Sequence, residues 1–351
     1  MSVRPYTILA LVPTGIGAAV GGYAGDAIPV ARALAQISDR LITHPNVLNG
    51  AQLYWSDPSI FYVEGYGLDQ FAVGRWGLQP VHQNRVGMIL DRSIEPELRL
   101  RHLQAADATR ATLGLDLTDY VVTDRPLGVR VRTSDAGASW GTLENPDSLL
   151  RAAETLIQRA GAEAIAIIAR FPDESGEVLQ NYRTGRGVDP IAGAEAVISH
   201  LVVRQFQIPA AHAPALLPLP PDPDLSPRAA AEELGYTFLP CVLVGLSRAP
   251  QFSVSPSDRA IRSSDVDAVV VPETACGGSA ILSLSQTAAK IVAVRDNCTQ
   301  MQVPPDRVGV PAVVVDSYLE ALGVLVAHRA GISPAALKPA LSSCRQLSCL
   351  A

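Results

Sequence analysis

Cys276 stands directly before Gly277, Gly278 and Ser279 in the stretch "VPETACGGSAILSLSQTAAKIVAVRDNCTQM", an order of residue types that can do chemistry. A thiol at a helix start feels the positive end of the backbone dipole, which lowers its pKa and makes it a nucleophile. A glycine pair at the same place lets backbone N–H groups approach an anion. Glu273 and Thr274 precede the cysteine, and the next apolar run, "KIVAV", ends in Arg295, Asp296, Asn297 and Thr299. Two adjacent strand ends would then aim an arginine, hydroxyls and acids at one point, enough to hold an anionic group and offer a base. Cys276 is the candidate nucleophile and Asp296 the candidate base; a buried, inert thiol is the alternative use of the cysteine.

A similar device opens the chain. "TILALVPTGIGAAVGGYAGDAIPVARALA" runs from Thr7 to Ala35 without a charge before Asp26. A membrane-spanning helix needs about 20 mainly apolar residues, and Pro13 with Gly15, Gly17, Gly21 and Gly22 breaks that pattern. An export signal needs an apolar core of about 7–15 residues, and Pro13 ends this one sooner. The remaining reading is a strand, a glycine loop and a helix. Thr14, Gly15, Gly17, Gly21, Gly22 and Asp26 become ligand-binding candidates, the glycines baring N–H groups to an anion. Tight turns and close packing explain the glycines equally well, and Asp26 is also placed to cap the helix. A dinucleotide site would need an acid ending the next strand, and "LITHPN" offers none.

That next strand ends in Thr43, His44, Asn46 and Asn49, polar groups at the edge where sites of α/β sheets assemble. His44 is the third candidate catalytic residue; helix capping by Thr43 or Asn46 is the structural alternative. Ser247 and Arg248 in "LVGLSRAPQF" end another apolar run and could complete the same pocket. "RTSDAGASWGT" and "NYRTGRGVDP" are polar glycine loops, either lids or solvated turns. No zinc, phosphate-loop or nucleophile-elbow motif occurs, so no metal is expected and no cofactor is identified.

Two resemblances rest on these residues. "CGGSAILSLSQTAAKIVAVRDNCT" resembles, over some thirty residues (268–300), the non-hydrolysing UDP-N-acetylglucosamine 2-epimerases, where a Gly-Gly turn opens a helix and the next strand ends in an Arg-Asp-x-Thr-like sequence. Ile281 and Leu282 stand where that family carries an acidic pair. Most of the chain is similar to a family of uncharacterised proteins from cyanobacteria and plant plastids, through "PTGIGAAVGGYAGDA", "THPNVLNGA" and "VPETACGGSA". The resemblance implies a soluble cytoplasmic or stromal protein and supplies no catalytic residues.

The elements that must position these groups are apolar runs alternating with amphipathic ones. "TILALVP", "RLITH", "IFYVEGYG", "VGMILD", "YVVTD", "GVRVRT", "AIAIIARF", "CVLVGL", "DAVVVPE", "KIVAVRD" and "AVVVDS" read as strands, with helical patterns between them. Unbroken apolar strands are buried on both faces, so the fold class is α/β, with mainly parallel sheets and flanking helices. The proline-rich stretch "IPAAHAPALLPLPPDPDLSP" (208–227) reads as a stiff connection. It would separate an N-terminal α/β domain (1–207) from a C-terminal one (228–351), with a cleft between the halves.

With 34 acidic against 28 basic side chains and 5% aromatic residues, the chain has no footprint for nucleic acid or an anionic membrane. Five cysteines, all after residue 240, fit a reducing compartment better than a disulfide scaffold. Hydrophobic content of 48% predicts a homo-oligomer, meeting through "SYLEALGVLVAHRAG" or "IFYVEGYGLDQFAVGRWGL". The function expected is that of an enzyme acting on a small anionic metabolite, whether phosphorylated, carboxylated or nucleotide-linked. A non-catalytic metabolite sensor or scaffold is the alternative.

Overall fold

Most of the long apolar runs become strands covered on both faces. The computed structural model describes residues 4–346 apart from 24, 49–56, 136, 174–175, 185, 234–237 and 256. In chain order the first elements are β1 (Thr7–Ala10), α1 (Ile28–Gln36), β2 (Arg40–Thr43), α2 (Pro45–Leu48), β3 (Ile60–Tyr62), α3 (Gly65–Ala72) and β4 (Gly77–Gln79). Next come β5 (Val86–Leu90), α4 (Pro96–Leu113), β6 (Leu117–Val122), β7 (Val129–Thr133), β8 (Ser139–Leu143), α5 (Pro146–Ala160), β9 (Ala164–Arg170), α6 (Gly176–Arg183) and α7 (Ala192–Phe206). The last are β10 (Ala210–Ala215), α8 (Ala230–Glu233), α9 (Leu239–Ser247), β11 (Gln251–Ser253), β12 (Val266–Pro272), α10 (Ser279–Leu284), β13 (Lys290–Val294), β14 (Ala312–Val315) and α11 (Tyr318–Arg329).

Two parallel sheets dominate. The first has the order β14-β13-β12-β1-β2-β3 and the second β10-β9-β5-β6. The pairs β4–β11 and β7–β8 are antiparallel. In β1, Ile8 and Ala10 face one core while Leu9 and Leu11 face another. The second sheet lies between α5 and α7 on one face and α9 on the other, with α4 packed on α9. The α/β class with flanking helices holds.

Sheet membership cuts across the expected seam. Strands from 7–62 share a sheet with strands from 266–315, and the middle of the chain builds the other large sheet. Within 208–227, Ala210–Ala215 forms β10, paired in parallel with β9. Its Pro214 is tolerated because β10 is an edge strand, where a missing N–H breaks no ladder. "CVLVGL" is a helix, not a strand. It belongs to α9, which is buried on almost every side because it touches β9 and β10 on one side and α4 and α2 on others. A helix enclosed in this way loses its polar face, and with it the 3.6-residue period that would reveal it.

Candidate functional site

The first sheet changes direction at β1: from it the chain builds outward through β2 and β3, while β12, β13 and β14 lie on its other side. Such a reversal leaves a crevice at the carboxyl ends of the central strands, where ligands of open α/β sheets bind. The glycine loop between β1 and α1 leaves from that crevice. Gly15, Gly17 and Gly21 have φ of 69°, 62° and 87° there, a left-handed conformation that side-chain-bearing residues rarely adopt.

Neighbouring strand ends hold the loop in place. The Leu11 N–H donates to Val270 O (2.9 Å), Ala19 N–H to Cys298 O (2.8 Å) and Gln300 N–H to Ile16 O (2.8 Å). Asn297 bonds Val20 twice, accepting its N–H at 2.9 Å and donating to its carbonyl at 2.8 Å, and also donates to the Tyr318 hydroxyl at 2.7 Å. Asn46 donates to Val12 O (3.0 Å) and Gly21 O (2.6 Å), tying the loop's two ends together. Thr43 donates its hydroxyl to Ala10 O at 2.8 Å. The two polar glycine loops noted in the sequence also abut this one: the Ser139 N–H donates to Gly15 O (3.1 Å), and Gly17 leaves no room beside Gly187 O, which a Cβ would meet at 2.8 Å. Thr43, Asn46 and Asn297 therefore shape the loop. Asn49 lies outside the described residues.

His44 does not serve as a free base. Its Nε2 accepts the Val12 N–H at 3.1 Å, which puts the proton on Nδ1, and burial pushes its pKa down to about 4. Neutral and engaged, it seals the exit of β1. Cys276 is corrected as well. It is fully buried, with Sγ 3.4 Å from Glu273 O, and burial together with the Glu273 charge pushes the thiol up to about 11. A protonated thiol in the core is a poor nucleophile.

The Gly277–Ser279 turn lies at the same sheet edge, and its helix, α10, has only six residues. The Ser279 hydroxyl donates to Asp69 Oδ1 at 2.6 Å, so an internal carboxylate already sits at this helix start. The Thr274 and Thr299 hydroxyls are 2.7 Å apart. Arg295 is exposed and engages Asp316 at 2.6 Å and Glu273 at 3.7 Å, which favours its charged form; Asp296 is exposed beside it. Thr14 is exposed on the first loop and Gly22 partly so, while Gly278 has open space where a Cβ would stand. Ser247 and Arg248 do not join this edge. They end a helix, not a strand: Ser247 O accepts the Asn84 N–H (2.7 Å) just before β5, at the amino edge of the second sheet.

Asp26 is the unusual group. Its side chain is 4% exposed; Oδ1 accepts the Gly21 N–H at 2.6 Å, and Oδ2 has no hydrogen bond. Arg228 approaches Oδ2 only to 3.8 Å. Burial, opposed mainly by the Gly21 hydrogen bond, pushes the carboxyl from 3.8 up to about 6. It does not cap α1, whose N-cap position falls to Ala27.

Sequence reading missed a second polar group, because its members are far apart in the chain. Buried Glu64 caps α3 through the Tyr66 and Gly67 amides and lies 3.0 Å from His200 Nε2. Ser199 bridges Glu64 (3.3 Å) and His212 (3.4 Å), and His212 reaches Glu195 at 3.4 Å. Only a polar face on α7 could have pointed to it. Among the described residues, no group of three or more His, Cys, Asp or Glu side chains is placed to hold a metal ion.

A family model described as "Protein of unknown function (DUF3326)" matches residues 7–338. An uncharacterized lipoprotein of Synechococcus sp. is 60% identical over 339 residues, which cover 96% of this chain and 94% of that protein. No solved structure matches. The relative agrees with the cyanobacterial resemblance read along the chain; neither match connects residues 268–300 to the epimerases. Among the described residues no helix is long and apolar enough to cross a membrane.

The His44 geometry sets a pH dependence. The unfolded chain takes up a proton near 6.5 that the folded chain refuses until about 4. His44 therefore contributes stability that is whole above pH 6.5 and lost as pH falls toward 4, at about 1.4 kcal/mol per pH unit. Urea midpoints of wild type and His44→Gln should differ at pH 7 and converge on acidification. A gap that does not change with pH would mean that His44 titrates alike in both states.

Proposed function

We propose that this chain, which belongs to the DUF3326 family of proteins of unknown function, binds a small anionic metabolite on the glycine loop after β1 and acts on it as an enzyme, with Asp26 as the proton-transfer group. One observation carries the reading. A buried carboxylate with an unbonded oxygen costs stability, and its titration near the neutral range is what acid–base catalysis uses. The loop supplies the complement: among the described residues the N–H groups of Gly15, Gly17 and Ala18 have no acceptor. Successive amides at left-handed glycines can form a concavity for an anion, and Gly17 is the partly exposed one of the three here.

A non-catalytic sensor is favoured by a different observation, that His44 and Cys276 are both buried and structurally engaged. Asp26→Asn separates the two readings. The fold favours protonated Asp26, so its ionisation destabilises the native state as pH rises from about 4 to about 6. The variant should match wild type near pH 4 and exceed its stability at pH 7. Titration with pyrophosphate and citrate should show binding that the variant retains, while turnover across a panel of phosphorylated and carboxylated metabolites is lost. No turnover by wild type leaves the sensor, unchanged turnover in the variant removes Asp26 from its role, and no binding of any anion removes both readings.

The reading extends to assembly and compartment. Leu319 is 81% exposed, Val314 and Val326 are exposed on the same part of the molecule, and β14 is an edge strand. These surfaces support a homo-oligomer through β14 and α11. The aromatic segment expected to share the contact is mostly core, with Phe61, Tyr62, Phe71 and Trp76 buried. Sedimentation at micromolar concentration should show an oligomer that Leu319→Asp dissociates; a wild-type monomer would remove the proposal. A cytoplasmic location is supported by Cys276, Cys298 and Cys344, none of which is in a disulfide. The relative's name describes a lipoprotein, and cell fractionation distinguishes the two: recovery only with detergent would overturn the cytoplasmic reading.

A further inference from the structure

A cavity of about 470 Å³ opens at the carboxyl edge of the second sheet, apart from the glycine loop and within the range of about 300–1,000 Å³ typical of small-molecule sites. Leu98 of α4, Ile191 before α7, Leu216 after β10 and Phe238 before α9 give it an apolar body. Few of its polar groups can donate a hydrogen bond. His102 Nδ1 lies 2.8 Å from Leu98 O, and a carbonyl can only accept, so the ring proton is on Nδ1. Burial keeps that imidazole neutral, which leaves Nε2 as an acceptor with no partner among the described residues.

The rest of the wall has the same bias. Pro214, Pro218 and Pro240 have no N–H, and Pro240 removes one amide from the first turn of α9. Tyr182 spends its hydroxyl proton on Glu232. Burial first, and then the charges of Glu232 and Asp189, keep the Tyr182 hydroxyl protonated, so two carboxylates share that end of the cavity. Arg101 is mostly exposed and reaches Glu97 at 3.3 Å. Asp173 and Glu233, also in the wall, are already neutralised by Arg170 and Arg183. Among the described residues the wall thus offers more acceptors than donors, which favours an occupant that brings donors of its own.

We propose that this cavity binds a small amphipathic amine, its apolar ring or short chain lying among Leu98, Leu216 and Phe238 and its protonated nitrogen donating toward His102 Nε2 and the Asp189–Glu232 end. Two probes of nearly equal shape and opposite charge, phenethylamine and phenylpropionate, test it by calorimetric titration of the full chain. Phenethylamine should bind at least about tenfold more tightly than phenylpropionate. Ala105→Phe, which fills the cavity from α4, should abolish the binding, and His102→Leu should weaken it severalfold with the fold intact by circular dichroism. Equal or preferred binding of phenylpropionate, binding of neither probe, or full phenethylamine affinity in folded Ala105→Phe would overturn the proposal. Should Ala105→Phe fail to fold, an unchanged affinity in His102→Leu overturns it instead. Pyrophosphate titration reads the glycine loop separately, so the failure of one site is distinguishable from failure of the other.

Discussion

β1 has a strand on each side, and the arrangement around the candidate site depends on that pairing. A strand flanked by β2 and β12 gives the chain leaving it no ladder to join, so the backbone must rise over the sheet edge. Its amides then need partners from elsewhere. His44 and Val270 supply them at the exit, and Cys298, Asn297 and Asp26 supply them further along. Apart from Asp26, the partners come from β12 and from just beyond β2 and β13, so the loop takes this shape when those strands have assembled. The amides of Gly15, Gly17 and Ala18 are left without an acceptor among the described residues.

Much of this was legible in the residues, and the failures have physical causes. Residues 164–169 of β9 and 268–271 of β12 are unbroken apolar runs, and buried parallel strands produce that pattern and little else. "CVLVGL" shows the same pattern for a different reason, because α9 is enclosed by a sheet and by other helices. Pro214 argued against a strand, and only the edge position of β10 makes it acceptable. The candidates after β1, β2, β12 and β13 do stand at strand ends, whereas Ser247 and Arg248 end a helix, and the roles of none could be read. Whether His44 is a base or a plug depends on the Val12 amide, thirty-two residues earlier. Whether Cys276 is activated depends on burial, which one chain segment does not reveal. Asp26 was visible as an acid after glycines; its unbonded oxygen was not.

His44 and Asp26 show opposite answers to the cost of burying a titratable group in one loop. His44 gives up its charge and accepts an amide, so it stabilises the fold at neutral pH. Asp26 accepts only one short hydrogen bond from the loop, and its ionised form is disfavoured. A residue that served structure alone would be replaced by asparagine without loss, since an amide oxygen can also accept the Gly21 N–H. The carboxylate in that place is the strongest sign that the loop does more than turn the chain.

The order of the strands also has a consequence in time. Ile8 pairs with Ala268, so β1 must wait for 268 − 8 = 260 further residues before its second neighbour exists. At synthesis rates of about 5–20 residues per second, that wait is about 13 to 50 s. Over that interval the middle sheet can form from contiguous chain, whereas Leu9 and Leu11 have no β12 side chains to cover them. The glycine loop would then be the last part of the molecule to acquire its shape, closing when the ends of β12 and β13 arrive. For most of its synthesis a nascent chain therefore carries an uncovered apolar edge on β1, the kind of surface that mispairs during folding.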